Sequence, residues 1–141
     1  MLAQYPDGRT KTQIAILTGY AVNGGGFQNA VGALKSVGYV SGDRERLKIT
    51  ENGLVALGDW TPLPTGQELL NYWLRELPKA ERSILTALAG SYPNAVTKED
   101  VAVNAGYQVT GGGFQNAIGK LRTLELIHGR NELKASDVFF E

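Results

Sequence analysis

The chain has 141 residues, 43% of them hydrophobic and 20% charged, the composition of one folded domain or two small ones. Fourteen basic and fourteen acidic side chains cancel, which argues against an indiscriminate polyanion binder, and the lack of cysteine excludes disulfides, a thiolate nucleophile and a cysteine zinc site. No apolar run approaches the ~18–20 residues of a membrane span and the N-terminus lacks a signal-peptide pattern, so no membrane partner is expected and the expected location is the cytoplasm.

Met1 to Gly8 reads as a short lead-in ending in a Tyr5-Pro6-Asp7-Gly8 turn. Thr10-x-x-Gln13 has the spacing of a capping box and opens a helix that Ile14, Ala15, Leu17 and Thr18 carry to Gly19. A tight turn through Tyr20–Gly24 leads into a second helix, about Gly25 to Val37. There Phe27, Ala30, Val31, Leu34 and Val37 follow the spacing of one buried face, and Gln28, Asn29, Gly32, Lys35 and Ser36 form the outward set. Gly38 is placed as its left-handed stop. Tyr39–Ser41 and Arg46–Ile49 are candidate strands of a hairpin with a charged tip, Gly42 to Glu45. Thr50 starts a brief helix from Glu51 to Leu57, ending at Gly58, and Asp59 to Pro64 reads as a linker. Thr65-x-x-Glu68 is a further capping-box spacing, for a helix with Leu69, Leu70, Trp73 and Leu77 apolar. Pro78 then suits the first position of a helix over 78–89, with Ile84, Leu85 and Leu88 as its inner stripe.

Beyond this point the chain repeats itself. Gly24-Gly25-Gly26-Phe27-Gln28-Asn29-Ala30 recurs letter for letter at 111–117, and residues 4–42 and 91–129 align without a gap at 18 of 39 identities. The second copy predicts a helix over 98–105 opened by Thr97-x-x-Asp100, then a helix over 112–124. In it Phe114, Ala117, Ile118, Leu121 and Leu124 point inward and Gln115, Asn116, Gly119, Arg122 and Thr123 outward. Its hairpin, Leu126–His128 and Glu132–Ala135, turns at Gly129-Arg130-Asn131. The expected fold class is mainly α with small β-hairpins, in two tandem units: residues 1–58, a helical linker 59–77, and residues 78–141. At the offset of 87, Met1 falls opposite Leu88, so the first copy lacks a counterpart of helix 78–89. The chain is therefore expected to belong to a larger parent protein. Otherwise the open core of the first copy, lined by Ile14, Leu17, Phe27 and Val31, is expected to be covered by residues 66–76 or by a second copy in a homo-oligomer.

Three helices followed by a hairpin, with the Gly-Tyr turn, the Gly-Gly-Gly-Phe-Gln-Asn start of the third helix and a basic hairpin, resemble the winged helix-turn-helix fold. The tandem pair is also similar to the winged-helix modules appended to bacterial ATPases of the FtsK/HerA translocase kind. The resemblance implies a third helix that enters the major groove of double-stranded DNA and a hairpin wing on its backbone or minor groove. A fold of this breadth does not fix function.

Candidate contacts follow from side-chain chemistry. Gln28, Asn29, Gln115 and Asn116 sit in the first turns of the third helices, where amides can read adenine or touch phosphate, or can simply be solvated. Gly32 and Gly119 are helix-interior glycines, costing ~1 kcal/mol each relative to alanine, and imply close approach by a phosphate backbone or by another helix. The triple glycines are not followed by Lys-Ser/Thr and follow no strand, so a turn between helices is expected instead of a nucleotide site. Residues 1–50 carry six basic and three acidic side chains, 51–77 one and four, and 78–141 seven and seven. The first copy is thus the better partner for a polyanion, through Lys35, Arg44, Arg46 and Lys48, with Asp43 and Glu45 interrupting the strip. The second offers Arg122 and Arg130, with Lys134 beside Glu132. His128 has no acid or cysteine partners in motif spacing, and no metal cluster, triad or carboxylate pair is apparent, so neither enzyme activity, nor a cofactor, nor a metal is expected. Trp60, Tyr72 and Trp73 either bury the linker helix or anchor a partner. Double-stranded DNA is the expected partner, and a protein–protein or oligomerisation module is the rival reading.

Overall fold

The computed structural model describes residues 1–43 and 45–141, which divide into two compact units, Met1–Leu63 and Pro64–Glu141. In the first unit a single 3₁₀ turn, Leu2–Gln4, precedes α1 (Lys11–Thr18) and α2 (Gly25–Ser36), and then strands β1 (Val40–Gly42) and β2 (Leu47–Ile49) and α3 (Glu51–Leu57). The second contains α4 (Gly66–Glu76), α5 (Lys79–Ser91), β3 (Val96–Thr97), α6 (Lys98–Ala105), α7 (Gly112–Thr123), β4 (Ile127–His128), β5 (Glu132–Ala135) and a 3₁₀ turn, Asp137–Phe140. The described residues are thus mainly helical with small antiparallel sheets.

The duplicated letters give duplicated geometry. α1 and α6, and α2 and α7, begin and end at positions 87 apart. Thr10 Oγ1 accepts from the Gln13 amide at 3.1 Å while Gln13 Oε1 accepts from the Thr10 amide at 3.0 Å, closing the expected capping box. Thr97 Oγ1 accepts from the Asp100 amide in the same way. Both helices stop at a left-handed glycine, Gly19 and Gly106, each at φ 80°. Tyr20 then leans on Phe27 with ring centroids 6.3 Å apart, and Tyr107 on Phe114 at 6.4 Å.

The hairpins pair as alternation predicts, Val40 opposite Ile49 and Ile127 opposite Ala135. A third strand comes in addition to the expected pair: β3 pairs with β5 through Val96 and Leu133, giving the order β3-β5-β4. In the first unit the equivalent is one bridge, Arg9 to Leu47. Two-residue strands carry too little alternation to be read in advance.

The second unit has a full core. Ile84, Leu85 and Leu88 of α5, Val101 of α6, Phe114 and Leu121 of α7 and Leu133 of β5 are all buried. In the first unit the core is smaller, namely Ile14, Ala15, Phe27, Val31, Val40 and Leu47 with Met1, Leu2 and Val22 half-buried against it. Ala30, Leu34 and Val37, expected inside, are exposed, because among the described residues of this unit no helix stands where α5 stands in the second. The helix over 66–76, a candidate cover for that face, packs in its own unit against α5 and the Asp137–Phe140 turn, burying Leu70 and Trp73. The capping bond expected of Thr65 does not form, since Gly66 enters at φ 58° and sets the first turn off the geometry that bond needs. Pro78 flanks α5 as its N-cap instead of opening it.

Candidate nucleic-acid interface

In both units the outward face of the helix after the Gly-Tyr turn presents few side chains. At 100° per residue, Phe27 and Val31 point into the core and Gly25, Asn29, Gly32 and Ser36 lie opposite them. A Cβ built on Gly25 or Gly32 would meet no atom within 4 Å, and the same holds for Gly112, Gly113 and Gly119. Asn29 and Asn116 are exposed between these glycines. Among the described residues of either unit, no helix packs closely on Gly32 or Gly119 as they could have implied. Gly24 and Gly111 differ from the other glycines: a Cβ there would sit 3.1 Å from the Ala21 carbonyl and 3.2 Å from that of Gln108. The first glycine of each triplet serves the turn, and the second and third do not.

Gln28 and Gln115 have a local task. Gln28 Nε2 donates to the Val22 carbonyl at 2.7 Å and Gln115 Nε2 to the Val109 carbonyl at 2.5 Å. Each amide bridges the first turn of its helix to the preceding turn, which accounts for its identity in both copies without any base contact. A bond six residues back gives no signal in helical spacing.

The basic residues are unequally presented. Lys35, at the end of α2, and Lys48, on β2 opposite Ser41, are exposed. Arg46 Nη1 donates to the Asp7 and Gly8 carbonyls at 3.1 and 3.0 Å, so this guanidinium also ties the hairpin to the turn before α1. Arg44 lies outside the described residues. Asp43 Oδ1 accepts from the Glu45 amide at 2.9 Å and braces the hairpin tip, so the acid that interrupts the basic strip is a turn residue.

In the second unit Arg130 is exposed at the tip between β4 and β5. Arg122 corrects the outward assignment. It is half-buried, and among the described residues its Nε and Nη2 are shielded and without a hydrogen-bond partner. It lies at the border of the buried face, where an arginine stem runs along apolar surface. Lys120 is an exposed cation of α7 outside the expected contact set, although the helical period puts it one turn after Asn116 on the same side of the helix. Lys134 is engaged elsewhere: its Nζ is 3.1 Å from Asp137 Oδ1 and 5.1 Å from the Tyr92 ring centre. The Tyr92 hydroxyl donates to the same carboxylate at 2.8 Å, and this bond, followed by the Lys134 interactions, holds Asp137 below the usual carboxylate range. The same bond is the main reason the Tyr92 hydroxyl is raised.

Among the described residues no group of three or more His, Asp or Glu side chains could hold a metal ion, and no helix is long and apolar enough to cross a membrane. No protein-family model, curated protein or solved structure matches the chain.

Proposed function

We propose that the chain is a pair of winged helix-turn-helix units that binds double-stranded DNA through the outward faces of α2 and α7 and the hairpins behind them, with no catalysis of its own. The observation that carries this reading is the bare face present twice. Glycine in a helix interior costs ~1 kcal/mol relative to alanine, and among the described residues nothing inside either unit uses the room it leaves. A face with few side chains lets a sugar-phosphate backbone come close to the helix and to the N–H groups of its first turn, and Asn29 and Asn116 stand within it as hydrogen-bonding groups. Lys35 and Lys48 are exposed cations of the first unit, Lys120 and Arg130 of the second. Gly32, Gly119, Asn29 and Asn116 are the proposed contacts, and Gln28 and Gln115 hold the helix start in place.

The test is a salt titration of duplex binding by fluorescence anisotropy. Lys35→Ala and Lys48→Ala should each weaken every duplex and reduce the slope of log K against log salt by roughly 0.9, the value for one lost phosphate contact. A chain with no salt-dependent affinity at low ionic strength removes the DNA reading. One observation favours a protein-binding role as well: Leu34, Val37, Val55 and Leu57 are exposed in the first unit. Leu34 and Val37 lie well round α2 from Gly25 and Gly32, so the two roles use different sides of one helix.

A further inference from the structure

An open cleft of about 430 Å³ in the second unit lies between α5 and α6, and none of the proposed DNA contacts lines it. Helix α5 supplies Arg82, Ser83, Thr86 and Gly90 to its lining, and α6 supplies Asn104 and Ala105. Arg82 to Gly90 covers about 12 Å of helix, and the volume is within the range of small-molecule sites, roughly 300–1,000 Å³. No acidic side chain lines the cleft.

The polar groups here are mostly donors. Thr86 Oγ1 gives its proton to the Arg82 carbonyl at 2.7 Å and keeps only acceptor capacity. The Arg82 guanidinium, the Ser83 hydroxyl and the Asn104 side-chain amide enter no hydrogen bond or ion pair among the described residues. One fixed positive charge, its planar fork of N–H groups, a hydroxyl and an amide form a donor set for a carboxylate or a phosphate.

The repeat adds an independent observation. At the offset of 87, Asn104 stands where the first copy has Leu17, and Gly90 where it has Ala3. The second copy thus has a carboxamide at the cleft in place of an apolar side chain. A Cβ at Gly90 would meet nothing within 4 Å, so no described residue takes up the room beside this turn of α5. Glycine at such a place lets a ligand approach the backbone closely. We propose that the cleft binds a small organic oxyanion, a carboxylate or a phosphate monoester. Arg82 holds the anionic group, Ser83 and Asn104 donate to it, and Gly90 leaves room for the body of the molecule. The inference goes beyond the DNA reading and does not rest on it.

The experiment titrates the whole ¹⁵N-labelled chain, at constant ionic strength, with glycerol 3-phosphate and separately with succinate, using sodium chloride as the blank. At least one of the two should give saturable shifts of the Ser83, Gly90 and Asn104 amides, and which one does so identifies the anionic group. Arg82→Gln should weaken that binding at least about tenfold, and Asn104→Leu about threefold or more. Both positions are exposed, so the fold should tolerate either change, and thermal melting checks this. Arg75→Ala removes an exposed cation of α4 outside the cleft and should leave the affinity as it was. Shifts that do not saturate, that chloride reproduces, or that survive Arg82→Gln unchanged overturn the proposal. Duplex DNA that moves the same amides while neither small anion does would assign the cleft to a nucleic-acid phosphate, and would overturn it too.

Discussion

Gly32→Ala and Gly119→Ala test the central feature of the proposed interface, because stability and binding should move in opposite directions. Both glycines lie inside helices, and a Cβ at either meets nothing within 4 Å. Alanine therefore adds a methyl group to open space and removes the excess backbone freedom that glycine loses on folding, a gain of ~1 kcal/mol per site at most. In compact units of this size 1 kcal/mol corresponds to roughly 4–8 °C of melting temperature, so each substitution should raise the transition of its own unit by several degrees. If a DNA backbone lies against the bare face, the same methyl group overpacks the contact. Overpacking costs about 1–3 kcal/mol, and its lower end is a loss of roughly fivefold in affinity. Because no charge is removed, the slope against salt should stay as it was. Calorimetry and salt-titrated anisotropy on the two single variants and the double variant supply both readouts. A lowered melting temperature would mean the face is not open. A raised one with unchanged affinity for duplex would mean the bare face is not where DNA sits.

Gln28→Ala and Gln115→Ala should each cost ~0.5–1.5 kcal/mol, the worth of one net hydrogen bond, and weaken all duplexes alike; unchanged melting with altered preference at one base pair would restore a base-reading role. Thr10→Ala should lower the stability of the first unit by about 0.5–2 kcal/mol, since it removes the hydroxyl that accepts from the Gln13 amide while keeping the main-chain N–H that donates to Gln13 Oε1, and an unchanged first melting transition would count against it. Asp137, held below its ordinary value of 3.8, contributes stability that is present above that pH and lost as pH falls through its folded value; the raised Tyr92 hydroxyl contributes stability present below pH 10.0 and lost as pH rises through its folded value. Tyr92→Phe should bring the Asp137 carboxyl back toward 3.8 in an NMR titration, and a titration unmoved by that change would show that the hydroxyl is not the cause.

Most helices were legible because their signals are local. The Thr10-x-x-Gln13 box, the glycines at 19 and 106 and the apolar spacing from Phe27 to Val37 each act within one or two turns. What the sequence could not show depends on partners far along the chain. Apolar spacing in α2 and α7 is the same, yet Ala117 and Leu121 are buried while Ala30 and Leu34 are not, because burial needs α5 opposite. Arg46 reads as a free cation on a hairpin, and its bonds to Asp7 and Gly8 span 39 and 38 residues. Arg122 fails in the other direction: at the edge of the buried stripe, its helical angle allows either solvent or core. For the candidate site, the glycines and asparagines were visible as a repeat, and what the structure adds is that no described residue occupies the space beside Gly25, Gly32, Gly112 and Gly119.

The repeat can then be read by subtraction. Gly19 and Gly106 are fixed by their left-handed caps, and Gly24 and Gly111 by the turn carbonyls that a side chain would crowd. Tyr20 and Phe27, like Tyr107 and Phe114, pair across the turn, and Gln28 and Gln115 bridge it. Thr10 and Thr97 cap, and Ala15 and Ala102 fill core. Folding accounts for every one of these identities. It does not account for Gly25, Asn29 and Gly32, or for Gly112, Asn116 and Gly119, which face away from the core with open space at each glycine. Gly32 and Gly119, inside their helices, weaken the helices that carry them. A cost present twice at equivalent places, with no internal return, is the mark of a surface shaped for something outside the fold. A backbone able to approach a helix that closely fits the double-stranded DNA reading better than a partner gripped by side chains.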